Sequence, residues 1–106
     1  EPFLRRATKR DVLARLLTNL KGVHLNAGDL ERALAVVERL LILRPDGADE
    51  HRARSVLLAR LGHRDEAIDQ LARWLAVAPP GAEAERARRL LKRLESGGAP
   101  ERGEEE

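Results

Sequence analysis

Gly28-Asp-Leu-Glu-Arg-Ala-Leu34 and Gly62-His-Arg-Asp-Glu-Ala-Ile68 are two versions of one pattern, set 34 residues apart. Ala33 and Ala67 keep that offset, as do Pro45 and Pro79, and Leu34, Val37 and Leu41 align with Ile68, Leu71 and Leu75. Each of these positions has a physical task. The glycines can take the left-handed conformation that ends one helix and turns the chain. The alanines are small, so two helices can approach closely over them. The prolines cannot continue a helix, so they stop the second helix and start the passage to the next unit. Around these points apolar residues recur every three or four positions, the spacing of amphipathic helices. Thr8, with Asp11 three residues on, reads as a capping box, and Asp29 as the cap of the next helix. The spacing predicts helices over roughly 9–26, 30–43, 48–61, 64–77 and 82–95. No stretch alternates with period two for long enough to form a strand.

A helix–turn–helix unit with a 34-residue period resembles the tetratricopeptide repeat. The resemblance implies an all-α fold of the right-handed α-solenoid type, in a domain spanning 1–96. Repeats fall over about 14–47 and 48–81, and a capping helix with a polar outer face over about 82–95. Leu20, Ala33, Leu34, Val37, Leu41, Leu58, Ala67, Ile68, Leu71, Leu75 and Leu91 are the expected core. The chain also departs from the family pattern. Leu17 serves for the bulky aromatic early in the first repeat, but the second offers His51. His24 and Leu58 stand where a Tyr is usual, Leu40 and Trp74 where a small residue is usual, and Arg54 where a Leu is expected. The first half of helix 48–61 is therefore expected to pack poorly. A further resemblance lies in Phe3-Leu4-Arg5-Arg6-Ala7-Thr8-Lys9-Arg10-Asp11-Val12-Leu13, in Asn19-Leu20-Lys21 and in the repeat pair. These look like the C-terminal region of the SirB-type transglutaminase-like proteins of bacteria. That resemblance implies a longer bacterial parent, with a transglutaminase-like domain before this one.

Composition fits the helical reading. The 106 residues suffice for one domain. Hydrophobic residues are 42% and charged residues 36%, which suits a folded chain. There are 19 Leu and 16 Ala against one Phe, one Trp and no Tyr, a helix-former's inventory. Of the 20 basic residues 17 are Arg, and labile Asn, Gln, Met and Cys total three, which is compatible with a thermophile. No apolar run is long enough for a transmembrane helix, and no signal-peptide pattern opens the chain, so the expected location is the cytoplasm. The opening residue, Glu1, leads to the expectation of a fragment or processed product.

No catalytic constellation emerges. With no Cys there is neither a thiol nucleophile nor a thiolate metal site. His24, His51 and His63 never pair at i+3 or i+4, the helical spacing for a shared metal. Two Ser in a helical repeat, Ser55 and Ser96, are expected to be incidental. Asp49-Glu50 and Asp65-Glu66 fall in first helical turns, where the positive end of the helix dipole accounts for them. No phosphate-binding glycine motif occurs. The expected protein is thus not an enzyme, has no cofactor, and acts as a protein–protein interaction module. Its partner is another protein or its own N-terminal domain. The alternative is an accessory domain of a transglutaminase-like enzyme.

Residues 2–95 hold 19 basic and 13 acidic side chains, a net of +6. Arg86, Arg88, Arg89, Lys92 and Arg93 make a basic helix that could meet phosphates. Only Phe3 and Trp74 could stack on bases, so nucleic acid is the weaker expectation. The concave face of such a stack is lined by the first helix of each repeat. Arg15, Asn19, Asn26, Arg52, Arg60, Arg86 and Arg93 are the expected contacts for a protein or peptide, with acidic groups favoured. Thr18 and Gly22 replace the Lys and Asn of a chaperone carboxylate clamp, which argues against that ligand. The first helix carries apolar residues on two sides and has no preceding repeat. Phe3, Leu4, Leu13 and Leu16 are accordingly expected to join a homodimer or a cis partner. Residues 97–106 are expected to be a disordered acidic tail with no apolar surface to bury. Deleting them should leave the thermal midpoint unchanged within error. A clear loss of stability would instead mean that the tail docks on the basic surface.

Overall fold

The computed structural model describes residues 8–97. Five α-helices follow one another: α1 (Lys9–Asn26), α2 (Leu30–Leu43), α3 (Ala48–Arg60), α4 (Arg64–Val77) and α5 (Ala82–Glu95), with no strand among the described residues. The expected tail, apart from Gly97, lies outside the described residues, as do Phe3 and Leu4. α3 ends one residue before the expected Leu61.

The helix ends show why the chain folds into hairpins. At α1, the Asp11 N–H donates to the Thr8 hydroxyl oxygen at 3.1 Å. Hydrogen bonding from Thr8 and then the Arg44 guanidinium hold the Asp11 carboxyl below its usual range. Its contribution to stability is therefore present above the ordinary carboxylate range and is lost as pH falls through the lowered value. Arg44 reaches Asp11 at 3.2 Å, tying the start of α1 to the end of α2. The α1–α2 and α3–α4 turns are copies of each other. Gly28 has φ 75° and Gly62 φ 91°, the left-handed region that an L side chain resists. Gly28 N–H donates to Leu25 O and Asp29 N–H to His24 O. Gly62 N–H donates to Ala59 O and His63 N–H to Leu58 O. This double bond pattern is the Schellman closure, and it occurs twice at the 34-residue offset.

The core is three linked clusters. Ala14 and Leu17 of α1 meet Val36 and Leu40 of α2. Ala33 and Val37 of α2 meet Ala53 and Leu57 of α3. The largest joins Val56, Leu58, Ala67, Leu71, Trp74, Ala87, Leu90 and Leu94 across α3, α4 and α5. α5 buries Ala84, Ala87, Leu90 and Leu94 and turns Glu85, Arg88, Arg89 and Lys92 outward.

Two expectations need correction. Leu20 is not core: it is 42% exposed. At 100° per residue it shares a face with Leu13, Leu16 and Val23, rotated away from Ala14 and Leu17, and none of the other described helices covers that face. The first half of α3, a poor match to the family pattern, does bury Arg52 and Ala53, while Ser55, Val56, Leu57 and Leu58 are buried in its second half. The departures from the family pattern compensate one another. His51, where an aromatic is expected, stacks on Trp74, where a small residue is expected, with ring centres 6.0 Å apart.

Ala33 and Ala67 are both fully buried, Ala33 in the cluster with Ala53 and Leu57 of α3 and Ala67 in the cluster with Val56 and Leu58 of α3. Ala67→Leu should overpack the α3–α4 contact and cost about 1–3 kcal/mol in urea unfolding. An unchanged midpoint would count against close approach at that point.

Candidate interaction surface

The structure separates the expected groove residues into two groups. Arg15, Asn19 and Asn26 on α1 are exposed, as are Arg60 and Arg86. Arg93 is half-buried, and both Arg60 and Arg93 are engaged within the chain. Arg52 is turned inward and is only 9% exposed. Its guanidinium lies 3.5 Å from Asp49 and 3.6 Å from Glu83, and so ties α3 to the first turn of α5. Glu83 also accepts from Arg86 at 2.9 Å. One carboxylate therefore takes up two of the arginines expected to meet a ligand. Arg52 serves the α3–α5 joint, whereas Arg86 makes an i,i+3 pair within α5.

Arg54, at a position where the pattern expects Leu, is an internal tie as well. It reaches Glu38 of α2 at 3.2 Å and Glu66 of α4 at 3.3 Å, and donates to Gln70 Oε1 at 2.6 Å. Gln70 Nε2 lies 2.8 Å from His51 Nδ1, and His51 Nε2 lies 2.6 Å from the Pro45 carbonyl. Arg54 can only donate and a carbonyl can only accept, so the chain has one polarity. Gln70 donates to His51 Nδ1, and His51 carries its proton on Nε2 and donates to Pro45. A groove of about 610 Å³ runs beside these groups, walled by Pro45, Asp46, Gln70, Arg73 and Trp74. Within it, Gln70, His51 and the Pro45 carbonyl are engaged by this internal chain, and Arg73 pairs with Asp69 at 3.0 Å. Sequence spacing could not reveal the network, because its members come from three helices and a turn.

The larger uncovered feature is on α1. Val12, Leu13, Leu16, Leu20 and Val23 are 44%, 46%, 59%, 42% and 61% exposed. They form one stripe at heptad-like spacing along a single face. Leu13 and Leu16 were singled out by the sequence, and the structure adds Val12, Leu20 and Val23 to the same strip. The other strongly exposed aliphatics, Ile42 and Val77, stand singly on different helices. At the opposite end of the stack, α5 presents charge. Among the described residues, no helix is long and apolar enough to cross a membrane, and no group of three or more His, Asp or Glu is placed to hold a metal.

The family model described as "Tetratricopeptide repeat" matches residues 20–92, which is most of the chain. The chain belongs to the tetratricopeptide repeat family. Tetratricopeptide repeats are typically non-catalytic and generally mediate protein–protein interaction. The chain is also similar to two curated relatives, each a "UPF0162 protein", from Xylella fastidiosa strains Temecula1 and 9a5c. Both are 35% identical over 69 residues, which is 65% of this chain and 25% of theirs. The chain thus spans about a quarter of the length of those proteins. No solved structure matches it significantly.

In this tetratricopeptide unit the two arginines on Glu83 should behave differently. Arg52→Ala removes the inward-facing partner and should cost about 1–3 kcal/mol in urea unfolding. Arg86→Ala, at an exposed i,i+3 pair, should cost about 0.5 kcal/mol or less. Equal, small losses would show that the Arg52 contact does not hold the α3–α5 joint.

Proposed function

We propose that this chain is a non-catalytic docking module that engages a protein surface through the apolar stripe of α1. The observation that carries the reading is the contrast between the two ends of the stack. α5 faces outward with charge, whereas α1 leaves five aliphatic side chains between 42% and 61% exposed on one face. A contiguous uncovered apolar strip of this kind marks an interaction surface. The inward turn of Arg52 supports this choice over the basic groove. The module serves a longer cytoplasmic protein of bacterial type. The resemblance to SirB-type proteins and the quarter-length coverage of the relatives both support that setting.

A second reading places an acidic peptide along Arg15, Asn19, Asn26, Arg60, Arg86 and Arg93. The net charge of +6 over residues 2–95 favours it. A role as accessory to a transglutaminase-like enzyme rests on the resemblance alone. Nucleic-acid binding through α5 is disfavoured, because Arg86 and Arg88 are paired with Glu83 and Glu85.

Leu16→Glu tests the docking surface. In dilute solution the variant should bind much less of a hydrophobic fluorescent dye. Its helical circular dichroism should be unchanged, and its stability should stay within about 0.5 kcal/mol, as for a surface site. A stability loss of several kcal/mol would make Leu16 a core residue and end the reading.

A further inference from the structure

On the reading of the α1 stripe as a docking face, we infer that its occupant is a second copy of this chain. The two α1 helices lie antiparallel about a two-fold axis that passes between Leu16 and Leu20. Leu13, Leu16, Leu20 and Val23 are spaced 3, 4 and 3 residues apart, so the strip reads alike in both directions. Turned end for end, Leu16 of one copy meets Leu20 of the other, and Leu13 meets Val23. The strip thereby complements itself, as a two-fold contact requires.

Charge selects this direction. Between Val12 and Asn26 there is no acidic residue, and the basic ones are Arg15, Lys21 and His24. Lys21 is taken by Glu50 at 2.8 Å, and Arg15 lies on another side of the helix, so no like charges meet at the centre. The antiparallel register sets Lys9 of one copy beside the C-terminal turn of the other copy's α1. There a cation meets the negative end of the helix dipole. A parallel pairing would instead bring Lys9 against Lys9.

Area and the other end of the molecule point the same way. The five side chains expose roughly 450 Å² per copy, in the middle of the range for the largest patch on an ordinary monomer, which is often functional. Two such strips with their flanking residues bring the buried total to roughly 1,200 Å², the lower end of the range for specific interfaces. Stacking head to tail would press the strip on the charged outer face of α5, which offers it no apolar match. The symmetric contact is the one that closes.

The test uses the full chain, whose lack of Cys makes any introduced thiol the only one. Sedimentation equilibrium at micromolar concentration should give twice the chain mass, and Leu16→Glu should return it to one chain mass with helicity intact. Under mild oxidation, a mixture of Leu13→Cys and Val23→Cys chains should form a mixed disulfide dimer, while each variant alone should give little. Self-linking of Leu13→Cys alone would mean a parallel pairing and overturn the register. A dimer insensitive to Leu16→Glu would place the contact elsewhere and overturn the proposal. A strict monomer would overturn it too. If that monomer still binds dye through Leu16, the docking surface stands and only the choice of occupant falls.

Discussion

The close packing of α3 against the small residues at the start of α2 and α4 is the constraint on which the other contacts rest. Ala33 and Ala67 have no exposed surface, and each sits five residues after a glycine in the left-handed conformation. The glycine sets where the second helix begins, and the alanine sets how near it lies. Those two conditions bring Val37 and Leu71 into the core and fix which face of α3 meets α2. The 34-residue offset then repeats the arrangement, so the second hairpin stacks on the first with matching faces. A side chain larger than Ala at either crossing would separate the helices that carry nearly all the other buried contacts.

Much of this was legible in the sequence, because the deciding residues act locally. Gly, Pro, Asp29 and the Thr8–Asp11 pair declare helix ends through backbone conformation and capping, which need no knowledge of the rest of the fold. The core residues of α2 and α4 follow from one amphipathic stripe each. Reading failed where a residue's role depends on a distant partner. Arg52 looked like a groove residue because position along a helix gives its direction but not the carboxylate of Glu83 that draws it in. Arg54 and His51 looked like flaws because the pattern treats positions one at a time, whereas Trp74, Gln70 and Glu38 compensate for them from neighbouring helices. Leu20 was misplaced for a related reason. On a helix with two apolar faces and one neighbour, spacing alone does not say which face is covered.

The two ends of the stack solve the same problem in opposite ways. The first and last described helices each have a face that no other described helix covers. α5 meets this with alanine and leucine inward and Glu–Arg pairs outward, and its last turn is further tied down by Arg64, which donates to the Leu94 carbonyl at 2.9 Å. α1 leaves its outer aliphatic residues uncovered. Exposed Leu and Val on this scale weaken solubility, and they are retained at one end of a chain otherwise rich in charge.

The uncovered face also says where the molecule gives way first. α1 buries only Ala14 and Leu17, and among the described residues its close helix packing is with α2 alone, whereas α3 packs against α2, α4 and α5. In a linear stack each unit is stabilised by its neighbours, so the end with a single partner opens at the lowest free energy. Backbone amides of α1 would then exchange with solvent ahead of those in α3 and α4. Whatever covers the outer face of α1 supplies the missing neighbour, so occupancy there and the closing of the first hairpin are thermodynamically linked. The helix that offers the contact is also the one whose order most depends on receiving it.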